Sequence, residues 1–278
     1  MTGKEAIGAA WRRASRLIDR LDARLLLEHV CEIRHADLIA YPERELTAAQ
    51  AARFDALLDR RAAGEPLAYL VESTFFYGLE FTVSPDVLIP REDTGVLIDQ
   101  ALERVKARTR PAIVNLGTGS GIVAIVLAKH CPGAEVTAVD VSPAALAVAR
   151  TNAERHGARV RLLEGDWYAS LGDERFDLIV SNPPYVVAGD PHLTQNGLPF
   201  EPQQALTDGV AGGDGLACIR TIVAGAAEHL RPGGWLLMEH GYDQAVQVRE
   251  LLADAGFSDI ASWCDGAGIE RVSGGCLP

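Results

Sequence analysis

The sequence predicts an α/β protein: a seven-stranded, mostly parallel sheet covered by helices, preceded by a small helical bundle and a β-hairpin linker. Three observations carry this expectation. From Pro111 onward, short apolar runs alternate with helical stretches of roughly ten to fifteen residues, the pattern of a sheet buried on both faces. The first 65 residues hold no strand-like run. Between these regions, STFFYGLEFTV (73–83) reads as two short strands joined near Tyr77-Gly78. The expected divisions are 1–70 for the bundle, 71–84 for the hairpin linker and 85–278 for the α/β domain.

In chain order, the bundle opens with helical apolar spacing at Leu17, Ile18, Leu21, Leu25 and Leu26, continuing towards Val30. Arg12, Arg16, Arg20 and Arg24 recur every four positions and are expected to line one helix face. That face is either solvated, balanced by Asp19, Asp22 and Glu28, or a docking surface for an anionic partner. Thr47 followed by Gln50 resembles a capping box, opening a helix that buries Phe54, Leu57 and Leu58. Gly64 and Pro66 end it. Pro90 excludes a long helix across Val87–Thr94, and Thr94 is expected to cap a helix through Val96, Leu97, Ile98 and Leu102.

The α/β domain then reads strand by strand. AIVNL (112–116), EVTAV (135–139), VRLL (160–163) and DLIV (177–180) are the first four strands. Ser142 and Pro143 supply a cap and a first-turn proline for the helix after the second. A helix at 217–230, a Pro232-Gly233-Gly234 turn and the strand WLLME (235–239) follow. A helix from about Gln244 to Ala255 and strands near 259–263 and 269–273 complete the sheet.

With 48% apolar and 23% charged residues, the 278-residue chain has the composition of an ordinary globular protein. Its net charge of -12 argues against broad capture of a nucleic-acid backbone. Residues 1–66 carry equal numbers of basic and acidic side chains, so the deficit lies beyond them. Cys31, Cys131, Cys218, Cys264 and Cys276 are scattered, odd in number and without a metal-type pair, as in a reducing cytosol. No run approaches the ~20 apolar residues of a membrane span. The basic, amphipathic start (1–16) is too interrupted by charge for a secretory signal. These features predict a cytoplasmic monomer with no metal, no membrane contact and no direct DNA binding.

Gly117-Thr118-Gly119-Ser120-Gly121 ends the first strand of the α/β domain, where doubly wound sheets bind ligands. The spacing is G-x-G-x-G, and no Lys-Ser/Thr pair follows, which excludes a P-loop. A plain turn, a nicotinamide dinucleotide and S-adenosylmethionine (AdoMet) all fit the glycines. Asp140 ends the second strand, where its carboxylate can accept from two ribose hydroxyls or cap the next helix. Asp166-Trp167 after the third strand offers an acceptor for an adenine amino group and a flat surface beside it, or core packing for the indole.

Ser181-Asn182-Pro183-Pro184-Tyr185 follows the fourth strand directly. The two prolines fix φ and remove two donors, so the loop presents carbonyls on a rigid track. The Asn182 side-chain oxygen and the Pro183 carbonyl can grip the two hydrogens of a planar NH₂ group, with Tyr185 over its plane. An amide or aryl amine nitrogen is a poor nucleophile. Acceptors aimed at both hydrogens stabilise the positive charge that develops there as a methyl group is transferred.

Residues 115–121 and 181–185 resemble an AdoMet-dependent amino-methyltransferase of the N/D-P-P-Y class. Phe75-Tyr77-Gly78, Leu88 to Thr94, Phe200-Glu201-Pro202 with Ala205-Leu206, Glu239-His240-Gly241 and Glu270-Arg271-Val272 narrow the resemblance. In that order they are similar to the bacterial peptide-chain release factor glutamine methyltransferases over almost the whole chain. The resemblance implies a Rossmann-like AdoMet-dependent methyltransferase domain behind the bundle and hairpin. It implies N5-methylation of the glutamine in the Gly-Gly-Gln tripeptide of class I release factors, tuning translation termination, with S-adenosylhomocysteine as by-product. By residue, Gly117, Thr118, Gly119 and Gly121 would shape the donor loop, Asp140 would hold the ribose, and Asp166 and Trp167 would lie by the adenine. Arg91 and Thr94 would close a lid segment over the donor. Asn182, which also borders the donor, would grip the substrate amide with Pro183, Pro184 and Tyr185. Glu201 would shape the substrate side or serve as a salt-bridge partner, and the bundle would dock the release factor.

Three positions depart from the family pattern: Asn115 where Asp is usual, Gly95 where Glu is commoner, and the ending Ser273–Pro278. Asn115 keeps one acceptor but no charge, so weaker or differently hydrogen-bonded donor binding is expected. A DNA or RNA amino-methyltransferase using the same grip is disfavoured by the net charge and the small, charge-neutral N-terminal region. A ribosomal-protein glutamine methyltransferase would share the catalytic core. A non-catalytic module is disfavoured by the donor loop, Asp140 and Asn182-Pro-Pro-Tyr occurring together.

Overall fold

Helices α1 (Ile7–Ala14), α2 (Arg20–Cys31), α3 (His35–Ala40), α4 (Ala48–Ala62) and the single-turn α5 (Leu67–Leu70) build the first of two units. The computed structural model describes residues 5–278, so the first four residues of the basic start lie outside it. This unit comprises the chain up to Ser73 together with Thr194–Phe200. Ile7, Leu26, Leu27, Leu38, Leu46 and Phe54 form its core, none more than 2% exposed. The capping box is formed: Gln50 N donates to Thr47 Oγ1 at 3.2 Å, and Thr47 N donates to Gln50 Oε1 at 3.0 Å.

The helix expected through Leu17 and Leu21 is broken. Asp19 Oδ1 accepts from Leu21 N at 2.7 Å and starts α2 afresh, leaving Leu17 and Leu21 exposed. A local side-chain cap here overrides the apolar period. The arginine row therefore does not share one face. Arg12 lies on α1, Arg16 in the turn, and Arg20 and Arg24 on α2. Arg20 stacks over Trp11 at 4.8 Å and Arg24 pairs with Glu28.

The second unit, Thr74–Leu193 with Glu201–Pro278, carries the α/β fold. Strands β1 (Ser73–Phe76) and β2 (Leu79–Thr82) form the hairpin, turned by Tyr77 and Gly78 at φ 50° and 76°, the positive pair of a type I′ turn. Expected as a linker, the hairpin is packed into this unit. Phe76 and Phe81 are buried in one cluster with Leu97, Ile98 and Val123. Asn152, fully buried, accepts from Thr82 N at 2.7 Å and donates to the carbonyls of Thr82 and Ser120, both at 2.9 Å. The hairpin edge and the glycine loop thus share one anchor.

Then follow α6 (Thr94–Val105), β3 (Ala112–Leu116), α7 (Ile122–His130), β4 (Glu135–Asp140), α8 (Pro143–His156), β5 (Val160–Glu164) and β6 (Phe176–Ser181). After these come β7 (Val186–Ala188), β8 (Thr207–Ala211), α9 (Ala217–His229), β9 (Leu230–Glu239), α10 (Ala245–Asp254), β10 (Ser258–Cys264) and β11 (Glu270–Cys276). The seven-stranded sheet has the order β10-β11-β9-β6-β3-β4-β5, with β11 antiparallel to both its neighbours and the other pairs parallel. All six residues of β6 are buried. The chain steps outward from β3 to β4 and β5, then returns to the other side of β3 with β6. That reversal opens a crevice at the carboxyl ends of these strands.

Three local expectations are corrected. Thr94 is the first residue of α6, not its cap; Asp93 precedes it without a side-chain capping bond. Pro232-Gly233-Gly234 is a bulge inside β9 and not a turn before it, since Leu230 pairs with Phe176 and Trp235 with Leu178. The last strand, expected near 269–273, runs on into the divergent ending as far as Cys276. At Gly274 a Cβ would meet the Leu236 carbonyl at 2.5 Å, so close strand packing requires glycine there. The small parallel pair β7–β8 had no sequence signal.

Candidate active site

A cavity of about 490 Å³ occupies the crevice at the carboxyl ends of β3, β4 and β6. Its floor is the glycine loop, where Gly117, Gly119 and Gly121 adopt φ of 66°, 54° and 82°. These angles suit glycine, and the loop closes on itself: Thr118 N donates to the Val139 carbonyl at 3.0 Å and Gly121 N to the Thr118 carbonyl at 2.9 Å. Asp140 organises that loop: its Oδ2 accepts from Gly119 N at 2.7 Å and its Oδ1 from Ser142 N at 2.9 Å. Each carboxylate oxygen keeps a further lone pair for a ligand. Asp166 and Trp167 line the far side, the indole lying 3.6 Å from where a Gly117 Cβ would stand. A glycine-floored crevice with two carboxylates and a flat ring fits a nucleoside joined to an amino acid.

Asn115, 1% exposed, ties β3 to this floor. Its Oδ1 accepts from Thr118 Oγ1 at 2.7 Å, and its Nδ2 donates to the Val180 carbonyl of β6 at 3.3 Å. In this chain the amide uses both its ends, one as acceptor and one as donor.

The Asn182-Pro-Pro-Tyr loop leaves β6 at the other wall. Asn182 Nδ2 donates to Thr94 Oγ1 at 3.2 Å. The Tyr185 hydroxyl donates to Glu239 Oε1 at 3.1 Å, and the Tyr185 carbonyl accepts from Gln244 Nε2 at 3.0 Å. Glu239 ends β9 and is 1% exposed. Burial pushes its carboxyl up to about 7, against the pull of the Thr94 and Tyr185 hydroxyls. Burial, with Glu239 beside it, pushes the Tyr185 phenol well above its usual range.

Comparison with known proteins places this geometry in a family. The family model "Methyltransferase small domain" matches residues 93–198, and "PrmC N-terminal domain" matches residues 11–71. A release factor glutamine methyltransferase of Burkholderia pseudomallei is 51% identical over 98% of this chain and 97% of its own. The chain belongs to the release factor glutamine methyltransferase family. Another relative of that name, from Salmonella typhimurium, is 44% identical over 92% of this chain and 91% of its own. Among solved structures, a methyltransferase from Pyrococcus furiosus superposes with a TM-score of 0.52 at 20% identity, covering 83% of this chain and 98% of that one. A 16S rRNA methyltransferase of T. thermophilus gives 0.54 at 22%, covering 74% and 50%. Both show the methyltransferase fold.

The structure sorts the residues that sequence reasoning had assigned to this release factor glutamine methyltransferase. Thr94, Gly117, Thr118, Gly119, Asp140, Asp166, Trp167, Asn182 and Pro184 line the cavity. Pro183, which is buried, and Tyr185, held by Glu239 and Gln244, do not line it. Gly121 sits at the N-cap of α7, where a Cβ would lie 3.0 Å from Ala149 Cβ, so it shapes the loop from below. Glu201 and Arg91 are absent from the lining. Glu201, 4% exposed, accepts from Arg91 Nη2 at 2.5 Å and from Ile89 N at 3.0 Å, which makes it the salt-bridge partner that holds segment 88–91. Sequence reasoning missed Glu239 and Gln244. Glu239 stood out only as the end of the strand WLLME and as part of the Glu239-His240-Gly241 resemblance, and Gln244 only as a polar residue at the start of the next helix.

Among the described residues, no helix is long and apolar enough to cross a membrane, and no group of three or more His, Cys, Asp or Glu is placed to hold a metal ion.

Proposed function

We propose that this enzyme transfers a methyl group from AdoMet to the side-chain amide nitrogen (N5) of the glutamine in the Gly-Gly-Gln tripeptide of class I release factors, leaving S-adenosylhomocysteine. The observation that carries this reading is the commitment of Asn182. Its NH₂ donates one hydrogen to Thr94, which ties the nitrogen end to α6 and leaves the oxygen end to accept from a substrate amide. The Pro183 carbonyl is the second acceptor, and Tyr185 covers the amide plane. When bound, the donor supplies an electrophilic methyl group on a sulfonium.

Asn182 and Pro183 together concentrate negative potential on the amide hydrogens as the nitrogen lone pair forms the new N–C bond. The alkylated nitrogen is a stronger acid and loses a proton late, so no strong base is needed beside it. The glycine loop, Asp140, Asp166 and Trp167 hold the donor, and Arg91 acts through Glu201 by fixing the segment that leads into α6. The helical bundle docks the release factor away from the reacting glutamine. A cytoplasmic location follows from that partner.

The test is incubation with labelled AdoMet and purified class I release factor, followed by mass spectrometry of the peptide containing Gly-Gly-Gln. One methyl group on that glutamine is expected. Label confined to a ribosomal protein or a nucleic acid would overturn the reading.

A further inference from the structure

Behind the Asn182-Pro-Pro-Tyr loop sits a buried carboxyl to which the reaction, as described, gives no task. Glu239 Oε1 accepts from the Tyr185 hydroxyl at 3.1 Å, while Oε2 is buried without a hydrogen-bond partner. The Thr94 hydroxyl is near enough to the same carboxyl to favour its charge, but unlike the Tyr185 hydroxyl it makes no hydrogen bond to it in this structure. Thr94 Oγ1 already accepts from Asn182 Nδ2 at 3.2 Å, and a hydroxyl has a single hydrogen to give. The unpartnered Oε2 of Glu239 is an acceptor to which that hydrogen can turn.

An ionised carboxyl at this place can only accept. Both hydroxyls then point their hydrogens at it and leave lone pairs facing outward. The Thr94 lone pair takes the Asn182 NH₂, and the Asn182 oxygen is left facing the cavity. A donor at position 239 would reverse the chain. The Thr94 hydrogen would turn to Asn182, the amide would swing round, and its NH₂ would confront the substrate NH₂, donor against donor.

We infer that Glu239 is a positioning residue for methyl transfer: by accepting from Thr94 and Tyr185 it sets the direction of the hydrogen-bonded chain that turns the Asn182 oxygen towards the substrate amide. The inference rests on the proposed role of Asn182 as the amide grip.

The charged groups around Glu239 oppose one another. Asp93, preceding α6, pushes the carboxyl pKa up, and Arg271 of β11 pulls it down. Arg271 Nε lies 3.2 Å from Asp93 and 2.9 Å from Asp265, so its charge is shared. His240, next in the chain, turns away to Ser273 Oγ at 2.8 Å, and burial lowers its pKa. Burial dominates at Glu239 and holds the carboxyl at about 7. The accepting form is therefore lost as the pH falls through that value.

The test uses the full-length enzyme, AdoMet and a class I release factor, both saturating, in single-turnover methyl transfer. Glu239→Gln is expected to slow transfer by about 10- to 100-fold, part of the 10²–10³ attached to a lost preorganised acceptor, with AdoMet affinity by calorimetry within about twofold of wild type. The wild-type rate should fall from pH 8 to pH 6, and the variant's profile should be flat. Thr94→Val cuts the same chain at its middle, so it should also flatten the profile. The double variant should be no slower than the slower single one, because residues acting through one chain are not additive. Should Glu239→Gln fail to fold, the pH profile of Thr94→Val alone decides: an unchanged profile overturns the inference. Wild-type rate and pH profile in Glu239→Gln, or single effects that multiply in the double variant, also overturn it while leaving the proposed function intact. A wild-type enzyme that leaves the release factor unmodified overturns the proposed function and this inference together.

Discussion

Removing the Asn182 side chain tests the reaction class most directly. In Asn182→Ala the fold loses one hydrogen bond, the 3.2 Å contact to Thr94, worth about 0.5–1.5 kcal/mol at a half-buried position. Stability and AdoMet affinity should therefore change little. The transition state loses far more. A preorganised acceptor in a water-excluded site contributes about 3–4 kcal/mol, or roughly 10²–10³ in rate. Asn182→Asp discriminates further, because it keeps the acceptor and removes the donor that Thr94 now receives. The introduced carboxylate would compete with Glu239 for the single Thr94 hydrogen, and its burial adds a desolvation cost. The expected order is wild type, then Asn182→Asp, then Asn182→Ala, read as single-turnover rates at saturating AdoMet and release factor. Transfer by Asn182→Ala at the wild-type rate would refute the amide grip and the mechanism built on it.

Three further outcomes are expected. Asp140→Ala should weaken AdoMet and S-adenosylhomocysteine binding by roughly ten- to a hundredfold, from ~1.5–3 kcal/mol for charge-assisted hydrogen bonds; unchanged titration calorimetry would remove Asp140 from the donor site. Asn115→Asp should keep activity at saturating donor but lower the stability of the free protein by about 1–3 kcal/mol, because a buried carboxylate would face the Val180 carbonyl without a hydrogen to offer. Burial raises the folded-state pKa of such a carboxyl, so this loss should grow as the pH rises, and urea melts at pH 5 and pH 8 check the sign. Arg91→Ala strips the buried Glu201 of its cation. The ~3–5 kcal/mol of a broken buried pair is discounted to about 2–3 because Arg91 is 38% exposed, and denaturant melts showing no loss would mean that the pair does not hold segment 88–91.

Legibility followed the range of the interactions. The capping box at Thr47 and Gln50, the cap and proline at Ser142 and Pro143, and the glycine loop are each complete within a few residues, and each is formed as read. The arginine row failed because its period assumed one helix where Asp19 starts a second. The Pro232-Gly233-Gly234 segment failed because pairing with β6 absorbs it as a bulge, a partner 54 residues away in the case of Arg231 and Asp177. Thr94 was placed in the right site for the wrong local reason: it opens α6 without capping it, and its hydroxyl serves Asn182, 88 residues further on.

The sequence by itself determined the α/β class and the local form of the glycine loop and of the Asn182-Pro-Pro-Tyr turn, since glycine, proline and terminal carboxylates act through their own backbone and nearest neighbours. Which oxygen of that loop faces the cavity, and what holds it there, was decided by the tertiary structure. Glu239 closes a strand that follows Asn182 by more than fifty residues, and Thr94 opens a helix that precedes it by nearly ninety. Glu201 likewise has two meanings in the sequence, and it is the fold that brings Arg91 and Ile89 to it, one on each carboxylate oxygen. A hydrogen bond has a direction only when both of its partners are in place, and the sheet is what brings these distant partners together.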